Sequence, residues 1–264
     1  MLRRMVSGLL AALIIAVLVV PSPAGERPRE AAEERTASQQ ISAVEGILSR
    51  VMKAMGGEKA IEGIRNMVID LEVNIQGPQG NMGMSITRYQ VLPDRIRQEI
   101  SFPTGRMVQV FDGQNGWMEG PQGAMDLLPQ QVDQLKGEIS RNNLNLLKSW
   151  REGQVDVEAF PSEQFQGKEA LTLLLRFPSD SLGGMDSVKA YVDPTSYRII
   201  GQSYSGESPM GRGEIVVTFS DFKEVKGVIF PFQGRTSFEG KEISRYKITN
   251  LEVNTEIDPS LFQR

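Results

Sequence analysis

The sequence predicts a mainly β (α+β) fold: one large curved antiparallel sheet with helices packed over a single face. Three observations lead there. Apolar residues repeat at every second position in run after run from Met67 onward, and Gly, Pro, Asn and Asp cluster between the runs. Helical periodicity is confined to a leading segment and one insertion. Strands and helices never alternate in the rhythm of a parallel sheet.

The elements follow in order. From Ile41 to Met55 the residues Ile41, Val44, Ile47, Leu48, Val51, Met52 and Met55 recur at steps of three and four, one stripe of an amphipathic helix. Ser42 suits its N-terminal cap and Gly56-Gly57 its end. A short second helix is expected over Glu58 to Ile64. The period then changes to two: Met67, Ile69, Leu71, Val73 and Ile75 alternate with Asp70, Glu72, Asn74 and Gln76, as in a half-buried antiparallel strand. "GPQGN" (Gly77 to Asn81) turns this strand into "MGMSITRYQV". Leu92-Pro93-Asp94 then turns that one into "RIRQEISF", whose Ile96, Ile100 and Phe102 share a face.

The stretch "FDGQNGWM" (Phe111 to Met118) holds an Asp-Gly and an Asn-Gly between Met107–Phe111 and Trp117–Met118, and so predicts a β-hairpin. Pro129 to Trp150 reads as two short helices, the second with Leu144, Leu147 and Trp150 at helical spacing. Strands resume over Ala170–Phe177, Asp186–Asp193, Tyr197–Ser205, Glu214–Val225, Val228–Phe238 and Lys241–Leu251. Turns are expected at Gly183-Gly184, Asp193-Pro194-Thr195, Lys226-Gly227 and Glu239-Gly240. No internal repeat stands out.

The first residues predict export. Arg3 and Arg4 precede an uncharged run from Met5 to Val20, and Pro21-Ser22-Pro23-Ala24 offers cleavage after Ala24. Residues 1–24 are therefore read as a signal peptide, with a retained signal anchor as the alternative. Residues 25–40 are charged and lack large apolar side chains, the composition of a disordered linker. Residues 41–264 are expected to form the folded domain. Removing residues 1–24 takes away two arginines and no acid, so the formal charge falls from −4 to −6. An acidic chain lacks the basic footprint of a nucleic-acid binder.

Histidine and cysteine are absent. That eliminates cysteine nucleophiles, His-assisted triads, disulfides and the usual ligands of zinc, copper, haem and iron–sulfur centres. Carboxylate-only chemistry survives formally, but the spacing of the acids does not promote it. Asp112 is the nearest thing to a candidate acid or magnesium ligand, and its glycine partner favours a turn. Trp117 reads equally as a cavity-lining ring or an ordinary core aromatic. Met67, Met82, Met84, Met107, Met118 and Met125 suit either an adaptable apolar pocket or gap-filling in a core. The glycines of "GMDSVKA" and "GRGEIVV" lack the strand–loop–helix context of a phosphate cradle and are assigned to turns. Arg88, Arg95, Arg97 and Arg106 are read as a solvated strand face rather than an anion site.

The order of features is familiar. A leading helix, a strand meander, "VFDGQNGWMEGP", a helical interruption, "AYVDPTSYRIIG" and "VTFSDFKEVKGVIFPFQGRTSFEG" together resemble the LolA/LolB-like superfamily of outer-membrane lipoprotein-sorting proteins, over roughly Ile41 to Gln263. The resemblance implies an incomplete antiparallel β-barrel whose open concave side is covered by helices, around an apolar cavity. In LolA and LolB that cavity carries lipoprotein acyl chains across the periplasm, while relatives such as the RseB/MucB regulators use the fold for sensing. One departure stands out: LolA has an arginine directly before a proline on the early strand pair, where this chain has Leu92-Pro93. The latch arginine is unmatched, so the implied role is the broader one of binding lipid or lipoprotein. Without cysteine the chain cannot be anchored as LolB is.

These readings converge on a monomeric, non-enzymatic periplasmic carrier that shelters lipoprotein acyl chains or another lipid, using no cofactor or metal. An inner-membrane donor complex or an outer-membrane acceptor would be its partners. Alternation nominates the cavity wall: Ile69, Leu71, Met84, Ile86, Ile96, Ile100, Val110, Trp117, Leu173, Leu175, Val217, Phe230 and Phe232. The alternative is an envelope regulatory or structural module with a filled barrel, binding a protein through the sheet edge or lid helices.

Overall fold

A computed structural model describes residues 42–77, 80–178, 187–208 and 211–264. The expected signal peptide, linker and Gly183-Gly184 turn lie outside the described residues. Helix α1 covers residues 42–54, and its stripe of Val44, Leu48, Val51, Met52 and Met55 is buried. Gly56 (φ +123°) and Gly57 (φ +87°) end it, with Gly57 N–H donating to the Met52 carbonyl at 2.8 Å. Helix α2 is Glu58–Glu62.

The strands of the first meander are β1 (Asn66–Gly77), β2 (Gly80–Val91), β3 (Arg95–Phe102), β4 (Gly105–Phe111), β5 (Gly116–Gly120) and β6 (Gly123–Asp126). Helices α3 (Pro129–Ser140) and α4 (Asn143–Arg151) follow. The second meander comprises β7 (Asp156–Phe165), β8 (Lys168–Arg176), β9 (Ser187–Val192), β10 (Ile199–Ser208), β11 (Gly211–Val225), β12 (Val228–Phe238) and β13 (Lys241–Val253). A 3-10 turn at Pro259–Phe262 comes last.

Among the described residues, thirteen strands join one antiparallel sheet in the order β6-β5-β4-β3-β2-β1-β13-β12-β11-β10-β9-β8-β7. The first and last strands pair at its centre, as in Ile69 opposite Leu251. The sheet is not closed into a barrel, because β6 and β7 stand at opposite ends of the order. Two of these strands, β6 and β7, escape the alternation rule. All four residues of β6 are exposed, and β7 is an edge strand interrupted at Pro161.

Register assigns the faces. Met67, Ile69 and Leu71 of β1 share a buried cluster with Leu48, Val51 and Met52 of α1, Ile61 of α2, and Leu144 and Leu147 of α4. Leu173 and Leu175 of β8 and Phe230 and Phe232 of β12 belong to the same cluster. Farther along that face, Ile96 and Phe111 pack with Leu135 and Ile139 of α3. The sheet thus has one helix-bearing face. Its other face carries two smaller apolar clusters, one around Val110, Trp117 and Phe262 and one around the stacked Phe165 and Tyr191 rings.

Polar ties fix the helices to the sheet. Lys148 Nζ donates to the Ile64 carbonyl at 2.6 Å, and Asn145 Nδ2 to the carbonyls of Ile139 (2.9 Å) and Pro93 (3.2 Å). Asn142 caps α4 by accepting from Leu144 N–H at 2.9 Å. Among the described residues no helix is long and apolar enough to cross a membrane.

Candidate functional site

Between the sheet and the helices lies a cavity of about 400 Å³, within the range of small-molecule sites. Its sheet wall is Ile69, Leu71 and Val73 of β1, Ile86 of β2, Val217 and Phe219 of β11, Phe230 of β12, and Ile248 and Leu251 of β13. Met55, Ile61, Leu144 and Leu147 line it from the helices. The register explains this convergence: Leu71 opposes Ile86 on one side and Ile248 on the other, so three central strands present apolar side chains in one row.

A glycine shapes the rim. A Cβ on Gly234 would meet Tyr246 ring carbons at 2.3 and 2.7 Å, so the missing side chain is what lets the Tyr246 ring lie across β12. Burial pushes the Tyr246 hydroxyl far above the ordinary tyrosine range.

One part of the wall is polar. Arg88 of β2 forms an ion pair with Glu138 of α3, and Gln98 Nε2 donates to the same carboxylate at 3.2 Å. Gln202 of β10 donates to Asn143 Oδ1 at 2.6 Å and to the Arg141 carbonyl at 3.0 Å. The Arg141 guanidinium sits 4.1 Å from the centre of the Tyr204 ring. Burial pushes the Tyr204 hydroxyl up, and Arg141 beside it opposes that rise. It therefore remains a protonated donor at neutral pH.

The structure brings together part of the nominated wall. Ile69, Leu71, Ile86, Val217 and Phe230 line the cavity. Met84, opposite Val73, and Ile100, opposite Ile86, share the helix-bearing face without lining it. Phe232, Leu173 and Leu175 are core residues of that face, and Ile96 is covered by α3.

Val110 and Trp117 differ from expectation: both lie on the opposite face, against Phe262. Val110 pairs with Trp117, while the adjacent Phe111 pairs with Ile96 and faces α3. Both faces of β4 are buried, so alternation alone cannot choose between them. Trp117 borders a second, more polar depression of about 740 Å³ with Asp112, Lys136 and Phe262 among its walls.

The four arginines are also split. Arg97 and Arg106 flank Glu99 on the outer face, and Arg95 and Arg97 hold the C-terminal turn through the Phe262 ring and the Leu261 carbonyl. Arg88 alone among them turns to the cavity. Reading all four as one solvated face misses this. The available signal was parity: Arg88 follows Ile86 by two, and Gln98 sits between Ile96 and Ile100.

Asp112 has a structural job. Its Oδ1 accepts from Gln114 N–H (2.8 Å) and Asn115 N–H (2.6 Å). Partial burial alone would raise its carboxyl, but these N–H groups outweigh it and hold the carboxyl below the usual Asp range. A depressed folded-state value means stabilisation that is complete above the unfolded pKa and is lost as pH falls through the folded one. Asp112→Ala is expected to cost about 1 kcal/mol at neutral pH. In urea melts its difference from the native chain should shrink below about pH 4.

No protein-family model matches the chain, and no curated protein does. Solved structures do match. A LolA superfamily protein from Nitrosomonas europaea aligns with a TM-score of 0.59 at 14% identity, over 84% of this chain and 97% of the other. The chain has a LolA-like fold. A DUF1329 family protein from Desulfovibrio piger matches at TM-score 0.59 and 11% identity, over 83% and 97% of the two chains. A domain assigned to outer membrane lipoprotein sorting, from Vibrio parahaemolyticus, matches at 0.54 and 14%, again over 83% and 97%. At these identities the likeness concerns the LolA-like fold and leaves function to the site.

Proposed function

We propose that the chain is a non-enzymatic periplasmic carrier that shelters acyl chains, from a lipoprotein or another lipid, between its sheet and its helices. The observation that carries this reading is the cavity of about 400 Å³ with its central wall of Ile69, Leu71, Ile86, Val217 and Phe230. Apolar surface left open there is relieved by a hydrocarbon guest at about 0.8 kcal/mol per buried methylene. A filled barrel, which the module reading requires, would leave no such space.

The half-barrel is part of the same proposal. Helices α1, α2 and α4 share one buried cluster with β1, β8, β12 and β13, and α3 packs on β3 and β4. A sheet curled around the helices would make the helix-bearing face concave.

Native mass spectrometry of the protein recovered from a periplasm tests the reading. Co-purifying lipid or lipoprotein, displaced by a fluorescent fatty acid, is the expected result. Protein that comes out bare and fails to bind the probe would remove the carrier function.

A further inference from the structure

The cavity takes up only the middle of the helix-bearing face. To one side, Ile96 and Phe111 lie under Leu135 and Ile139 of α3, all between 1 and 4% exposed. To the other, Leu173 and Leu175 of β8 and Val192 of β9 are 4% exposed or less, in the same buried cluster as Leu146 of α4. Both flanks are filled by the protein's own side chains, and a close-packed interior has no room for a guest. The polar part of the wall is closed to hydrocarbon in another way. Arg88 pairs there with Glu138, and Gln202 with Asn143, so a chain laid over them would strip water from polar groups and return nothing in exchange. What remains for hydrocarbon is the space over β1, β2, β11, β12 and β13.

Volume then limits the guest. A methylene is comparable in volume to a molecule of liquid water, so a cavity of about 400 Å³ holds about 13 of them at ~30 Å³ each. A single acyl chain of ordinary length fills it. The tails of a two-chain phospholipid need about twice the space, and those of a triacylated lipoprotein about three times. Making that room would push packed side chains of the flanks off their rotamers, the cost of an overfilled core.

We propose that the cargo is a lipid with one acyl chain, a fatty acid or a lysolipid, and that the cavity sets a length limit near that of hexadecanoate. The proposal rests on the acyl-binding reading and narrows it, because lipids with two or three chains would leave at least one of them in water. The wall residues that set the limit include the half-buried Val217 and Phe219 of β11.

Two measurements on the purified protein test this. In the first, octanoate, dodecanoate, hexadecanoate and icosanoate, delivered from cyclodextrin, displace a fluorescent fatty acid. Affinity should climb about fourfold per methylene and level off between hexadecanoate and icosanoate. Phe219→Ala should move that limit up by about three carbons, and Val217→Trp should move it down by about as many. In the second, the protein is incubated with vesicles of dihexadecanoyl phosphatidylglycerol containing hexadecanoate and hexadecanoyl lysophosphatidylglycerol, then recovered for native mass spectrometry. It should carry one single-chain lipid per molecule and leave the two-chain lipid behind, and the more enriched of the two single-chain lipids names the source. Uptake of the two-chain lipid, two fatty acids per protein, affinity still rising to icosanoate, or a limit unmoved in both variants overturns the single-chain assignment and leaves the carrier reading standing. Recovery without any lipid, together with no binding of the fluorescent probe, overturns the carrier reading and the single-chain assignment with it.

Discussion

Gly56→Ala is expected to lower the stability of the chain by at least about 2 kcal/mol, the range of a backbone clash rather than of a lost contact. Gly56 sits at φ +123°, and a Cβ there would stand 2.1 Å from the Gly227 carbonyl oxygen and 2.9 Å from Val228 Cα. Both obstacles are backbone, so they cannot swing aside. The approach is close because the end of α1 docks on the turn between β11 and β12, where Ile229 N–H donates to the Met55 carbonyl at 2.9 Å. Gly57→Ala is the matched comparison. It also has a positive φ, in a region that glycine alone populates readily, but nothing lies within 4 Å of its added methyl. Its cost is therefore backbone strain alone, about 1–3 kcal/mol, and should stay below that of Gly56→Ala, which adds the clash. Urea unfolding followed by circular dichroism reads both, and equal midpoints for the two variants would refute the docking argument.

Val217→Trp is expected to weaken binding of an acyl probe well over tenfold with little loss of stability. Val217 is half-buried on β11, lines the cavity, and pairs with Gln202 and Thr236. An indole on this strand projects into existing space and need not displace packed neighbours, which is the usual cost of overpacking. It would exclude several methylenes at about 0.8 kcal/mol each, and two are already more than tenfold. Trp117→Phe provides the contrast. Its ring packs on the other face with Val110 and Phe262, so probe affinity should be unchanged. Loss of binding in Trp117→Phe with retention in Val217→Trp would move the site to the opposite face.

Much of the fold was legible because most strands bury one face. In "RIRQEISF" and "VIFPFQGRTSF" the alternation coincides with β3 and β12 end to end. It fails where burial is absent or doubled. Edge strands β6 and β7 bury too little to print a period, and β4 buries Val108, Val110 and Phe111 on two faces at once.

The lining of the candidate cavity was legible only in its apolar half. Ile69, Leu71, Ile86, Val217 and Phe230 follow from parity, but Arg88, Gln98 and Gln202 occupy the same parity and are passed over by a rule that equates inward with apolar. Their partners, Glu138, Arg141 and Asn143, come from the insertion between the meanders. No local pattern announces a pairing between residues so distant along the chain.

The pairing of β1 with β13 has a kinetic consequence. Neighbours at the middle of the sheet, such as Ile69 and Leu251, come from the two ends of the domain, so the ladder that joins the meanders closes one of the longest loops available. Each meander can zip locally as it emerges, but until β13 arrives each also presents an unfinished central edge. Pairing of β13 with β1 is therefore the step with the longest loop to close, and the last of these strands in chain order is the one that seals the centre.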